Sequence, residues 1–188
     1  MSGSFVISTH DLERRPGSMR QLTVRAAAAQ PLGNEVIAVP AGGPIELAVR
    51  LESVSEGVLV TGHAHAVATG ECVRCLQQVT EPVDADFTEL FSYPGLRRAH
   101  PDERPEDDDV LPELDGDLAD LEPTVTDALV PALPFQPLCD RDCQGLCAGC
   151  GIPMAQAEPG HAHELLDPRW AALAEFSGTE SAPREDRQ

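Results

Sequence analysis

Six cysteines gathered at two places constrain this chain more than any other feature of its 188 residues. Cys72-Val-Arg-Cys75 stands mid-sequence. Cys139, Cys143, Cys147 and Cys150 follow in one short stretch, with His161-Ala-His163 just beyond. Zinc takes four soft donors in a tetrahedron, and two cysteines separated by two residues can grip one ion together. Cys72/Cys75 and Cys147/Cys150 have that spacing, and Gly149 and Gly151 free the backbone for the tight turn beneath a metal. Six cysteines and two histidines fill two four-ligand sites. The preferred pairing places Cys72, Cys75, Cys139 and Cys143 on one ion, and Cys147, Cys150, His161 and His163 on another. Two other pairings stay open: a zinc ribbon joining Cys72/Cys75 to Cys147/Cys150, and one local site within Cys139–Cys150. Zinc, one or two ions per chain, is the expected cofactor.

The compartment supports metal over disulfides. Met1–His10 has no basic stretch leading into an apolar run, and nothing approaches the ~20 apolar residues of a membrane helix. A soluble cytoplasmic protein is expected, where thiols stay reduced. Ordinary buried cysteines explain one or two such residues but not a cluster of six. A redox Cys-x-x-Cys wants a βαβ setting, whereas Cys72 follows a predicted hairpin. A catalytic zinc keeps an open position and a general base nearby. Here every site can be closed by thiolates and imidazoles, and no HExxH, deaminase, GxSxG, P-loop or GxGxxG pattern occurs. No catalytic residue and no small-molecule substrate are indicated, so the chain is expected not to be an enzyme.

A formal net charge of −19 opposes nucleic acid except through a local basic patch. The densest cluster is Arg14, Arg15, Arg20 and Arg25. Arginine suits bidentate phosphate contact, so these four are the candidate RNA-facing residues, weighed against ordinary surface charge. A basic protein partner is electrostatically easier. With aromatics at only 4%, the core should be small and aliphatic, and metal cross-links help such a core.

Ile45, Leu47, Val49 and Leu51 alternate with polar or small residues, the period of a half-buried strand. Ser55-Glu56-Gly57 turns the chain, and Val58–Thr69 returns with Leu59, Thr61, His63 and His65 on one face. His63 and His65 read as surface residues. Shorter strands are expected at Phe5–Ser8, Leu22–Ala28 and Val83–Tyr93. Asp102–Asp117 carries nine acids and two prolines, a solvated loop. Pro123–Leu133 reads as a helix with Leu121, Val125, Leu129 and Ala132 on one side, ended or kinked by Pro131. A last helix opens at Asp167-Pro168 and buries Trp170, Leu173 and Ala174. The expected fold is α+β: a β-rich, antiparallel N-terminal half and a short helical, cysteine-rich, zinc-binding C-terminal half. The expected boundaries are 1–100 for the β-rich part, 101–117 for the acidic linker, 118–176 for helix, cysteine cluster and last helix, and 177–188 for a disordered tail, in one folded unit.

Four segments together resemble one bacterial family. They are Glu71-Cys-Val-Arg-Cys-Leu76, Leu133-Pro-Phe-Gln-Pro-Leu-Cys139, Asp142-Cys-Gln-Gly-Leu-Cys-Ala-Gly-Cys-Gly151 and Leu166-Asp-Pro-Arg-Trp-Ala-Ala-Leu173. In this order they are similar to the YceD-like proteins, described as large ribosomal RNA subunit accumulation proteins. Arg15-Pro-Gly-Ser-Met-Arg20 resembles a feature of actinobacterial members. The resemblance implies a non-enzymatic accessory role in accumulation or processing of large-subunit ribosomal RNA, or in ribosome assembly. It also implies a precursor particle, its RNA or a small basic ribosomal protein as partner. The alternatives are an acidic chaperone for such a basic protein, and a zinc- or redox-handling protein.

Overall fold

The longest alternating run of the sequence becomes the spine of the fold. In the computed structural model, which describes residues 5–95, 111–163 and 169, strand β5 (Pro44–Ser53) buries Ile45, Leu47, Val49 and Leu51 on one face. It turns at 54–56 into β6 (Gly57–Glu71), which is followed by β7 (Gln78–Ser92). β6 pairs with β7 over its whole length, from Gly57↔Ser92 to Glu71↔Gln78, without a bulge. Its other edge takes β5 from Val58 to Ala66, then β4 (Ile37–Val39) at Thr69 and Gly70. β2 (Met19–Ala27) flanks β5, and β3 (Leu32–Gly33) flanks β4, so six strands form one antiparallel sheet. β1 (Val6–Ser8) and β8 (Leu118–Asp120) make a separate two-stranded ribbon.

The sheet has one apolar face. Val58, Val60, Ala64, Ala66 and Ala68 of β6 join Val83, Phe87 and Phe91 of β7 beside the β5 row. Gly62 lies among them because the Phe87 ring occupies the place of its missing side chain: a Cβ there would stand 2.3 Å from Phe87 Cζ. Helix α1 (Glu122–Ala132) covers this face, chiefly against β7, and buries Val125 and Leu129 with Leu121 at its start. Asp120 Oδ1 accepts the Glu122 N–H at 3.0 Å, serving the helix start where Leu121 has no capping side chain. Pro131 sits in the last turn, and the chain leaves extended at Leu133.

The expected α+β division is contradicted. Among the described residues α1 is the single α-helix, and it packs on the sheet rather than seeding a helical half. The cysteine-rich stretch runs as turns, with one 3-10 turn at Met154–Gln156. The reason lies in its composition. Gly145, Gly149, Gly151, Pro153, Pro159 and Gly160 interrupt any helix between the cysteines and histidines. Ala132, expected on the buried side of the helix, is exposed. The last helix at Asp167-Pro168, the tail from 177 and most of the acidic loop lie outside the described residues. The chain divides into two compact units, Met1–Arg141 and Asp142–Gln188.

Candidate metal centres

The first Cys-x-x-Cys is the turn of the longest hairpin. β6 ends at Glu71 and β7 begins at Gln78, so residues 72–77 must reverse the chain. The Cys72 N–H bonds the Gln77 carbonyl at 2.7 Å, and the Leu76 N–H bonds the Cys72 carbonyl at 2.9 Å. That closed loop sets both thiols on one side, with Cys72 and Cys75 buried. The segment after α1 is tied to the same turn by the Val73 N–H on the Pro137 carbonyl at 3.0 Å, and it brings Cys139 Sγ to 3.4 Å from Cys75 Sγ. Cys143, four residues further along the chain, joins the group: all four sulphurs lie within 4.8 Å of one another. Tetrahedral zinc with Zn–S near ~2.3 Å would set its sulphurs about 3.8 Å apart, so this spread fits a four-thiolate site.

The second unit builds the same turn again. The Cys147 N–H bonds the Ile152 carbonyl at 2.8 Å, and the Gly151 N–H bonds the Cys147 carbonyl at 2.8 Å. Cys147, Cys150, His161 and His163 offer donors within 4.8 Å of one another, with Cys150 Sγ 3.3 Å from His161 Nε2. The imidazoles meet edge to face at 4.7 Å. Gly149 is needed here, because a Cβ on it would stand 2.6 Å from the His163 ring.

Backbone donors prepare the thiols. Burial pushes the Cys72 thiol up, but the main-chain N–H groups of Cys139, Arg74 and Cys75 outweigh it and bring it from 9.0 to about 6. At Cys147 the main-chain N–H groups of Gly149 and Cys150 act against weak burial, and the thiol falls from 9.0 to about 7. At neutral pH Cys72 is then mostly thiolate and Cys147 about half so, and the thiolate is the form a metal takes. Each group has four donors, so each could hold a metal ion with no position left for a substrate.

The arginine patch is largely engaged. Arg14 bonds Asp117 at 2.9 Å and stacks over Tyr93, Arg20 bonds Asp11 at 2.9 Å, and Arg25 bonds Glu46 at 3.0 Å. Arg15 is exposed. On the solvent face of the sheet, His63 and His65 meet Asp84 and Asp86, which the sequence reading did not single out. His63 Nδ1 lies 2.9 Å from Asp86 and His65 Nδ1 lies 2.8 Å from Asp84, which also reaches His63 Nε2 at 3.1 Å. His63-Ala-His65 and Asp84-Ala-Asp86 carried the signal, since an antiparallel register sets one opposite the other. No helix among the described residues is long and apolar enough to cross a membrane.

The hairpin-borne sulphur site and the looped sulphur–imidazole site define an antiparallel β-protein with two closed Cys/His donor groups. The profile of the family described as large ribosomal RNA subunit accumulation protein YceD matches residues 60–177, a span that holds all eight donors. The chain belongs to this family. It is 48% identical over 170 residues to uncharacterized proteins of Mycobacterium tuberculosis and Mycobacterium bovis, covering 90% of this chain and 80% of each relative. A Mycobacterium leprae protein is 42% identical over 165 residues, covering 88% of this chain and 74% of the relative. No solved structure matches.

Proposed function

We propose that this chain is a non-enzymatic, cytoplasmic accessory factor in the accumulation of large-subunit ribosomal RNA, its fold fixed by two structural zinc ions. The observation that carries the reading is the family match over residues 60–177, because that span contains both donor groups. Zinc suits the donors. Four thiolates, and two thiolates with two imidazoles, are soft tetrahedral sets, and a filled four-donor site serves structure rather than catalysis. The test is a deletion strain in which large-subunit RNA is measured against small-subunit RNA. The ratio should fall and return with the wild-type gene. An unchanged ratio would overturn the reading. Metal analysis of the purified protein should give two zinc ions per chain.

A second reading concerns the partner. Three of the four arginines held for RNA are ion-paired to acids within the chain. That favours a basic protein of the particle over RNA as the surface contacted, with the charge of −19 steering the encounter. A complex with one basic ribosomal protein that survives ribonuclease and weakens steeply with salt supports it; loss on ribonuclease treatment points to RNA instead.

A further inference from the structure

The two candidate metal turns, Cys72–Gln77 and Cys147–Ile152, close with the same two hydrogen bonds but place different residues at their left-handed position. The residue after the second cysteine lies in the left-handed region in both, at φ +74 for Gly151 and φ +60 for Leu76. Glycine takes that conformation freely, whereas leucine is strained in it. The leucine side chain gains little in return, being 61% exposed. The turn itself needs this backbone, since the Leu76 N–H closes it on the Cys72 carbonyl, but glycine would supply it without strain; an exposed leucine in that place does nothing for the turn, and such outliers gather at functional places.

A second apolar residue stands on the same structure. Phe135 is 90% exposed, the most of any large apolar side chain described. It belongs to the segment tied to the turn through Val73 and Pro137. Val73 and Val36 are exposed as well. Leu76 and Val36 line a cavity of about 570 Å³ whose charged lining residues are Glu35 and Glu71. Arg74, the basic residue of the turn, already has an interaction of its own. Apolar points beside an acid-lined hollow match an apolar side chain flanked by arginine or lysine.

We propose that Leu76 and Phe135 form a docking point for a basic protein segment that carries an apolar anchor. This rests on the reading of a basic protein as partner, and names the place where it is held. A second copy of this chain would bring another −19 to the same surface, which disfavours self-association.

The test uses the full-length, zinc-loaded protein and two labelled arginine-rich peptides, one with a central phenylalanine and one with serine in its place. The wild type should bind the phenylalanine peptide about tenfold tighter, the return on burying one aromatic side chain. Leu76→Gly and Phe135→Ser should each reduce that preference to under about threefold, a loss of most of that contact. Leu76→Gly should melt no lower than the wild type. Equal affinity for the two peptides overturns the proposal, as does a preference that survives both substitutions. It also fails if an oligouridine RNA competes with the peptide and loses affinity in both variants, or if a dimer forms that Leu76→Gly dissolves. If deletion lowers large-subunit RNA and a Leu76→Gly, Phe135→Ser gene restores it fully, the docking point fails while the accessory role stands. If deletion leaves the RNA unchanged, the accessory role fails and the peptide result still decides the docking point.

Discussion

Asp86 and Asp84 sit opposite His63 and His65 because the β6–β7 register is unbroken. The hydrogen bond with Asp86 raises the His63 pKa above its ordinary 6.5, against a smaller opposing effect of burial, and Asp84 adds to the rise. A raised histidine pKa means that the folded state holds its proton more tightly than the unfolded chain. The stability this gives is complete below 6.5 and is lost as pH rises through the folded value. Asp84 has the reverse sign: held down chiefly by His65, it contributes above 3.8 and loses its contribution as pH falls through its lowered folded value. Asp86→Asn should therefore lower the His63 titration midpoint in a proton NMR titration, and an unmoved midpoint would show that the pair does not form in solution. The histidines were legible as surface residues, but their partners were not. Pairing needs the register, and the register needs the location of the turn. Likewise nothing in Cys75-Leu76 announces a left-handed leucine; the Gly151 counterpart does so only once the two turns are seen to share their bonds.

Among the elements, the long ones with a clear period were readable, and of the shortest only β1, expected at Phe5–Ser8, was. The β5–β6 hairpin follows from alternation over many residues, and α1 from Leu121, Val125 and Leu129 at helical spacing. β3, β4 and β8 have two or three residues each, too few to show a period, and exist because longer neighbours offer them an edge. β7 begins at Gln78, earlier than its apolar pattern indicates, because the hydrogen-bonded turn over 72–77 fixes where the ladder resumes. Two substitutions test how this hairpin is held. Gly62→Val would drive a side chain into the Phe87 ring and should cost about 1–3 kcal/mol in chemical denaturation, as overpacking does. Adding Phe87→Leu should recover part of that loss; a fully additive pair would mean that ring and glycine do not meet. Cys72→Ser removes a buried ligand from the turn itself and should lower stability by several kcal/mol, since structural metal binding is folding free energy. An unchanged denaturation midpoint, with zinc content also unchanged, would dismiss the first centre.

For the molecule as a whole, ligand arithmetic proved the most informative reading of the sequence. Two groups of four are the preferred pairing among three that the spacing leaves open, and the structure brings together those same two groups. The helical C-terminal half failed because two facts were merged: one helix before the cysteines, and a cysteine-rich segment after it. A segment that gathers four donors within a short stretch curls through glycine and left-handed turns, so the pattern that made its candidate ligands visible also excluded helix there. The two centres differ in protection. The first group has two buried members, Cys72 and Cys75, beside an exposed Cys139 and a half-buried Cys143, whereas the second has none buried, with Cys150 and His163 exposed. A chelator can displace exposed donors directly, but the two buried thiols of the first group give way only on local opening, and opening free energies vary widely within a protein. Zinc release to a colorimetric chelator should then occur in two phases, the faster from the Cys147–His163 group. Cys150→Ser should remove the fast phase and leave the slow one at its wild-type rate. A single phase in the wild type would mean that both centres open together, and a slow phase accelerated by Cys150→Ser would mean that the second metal protects the first.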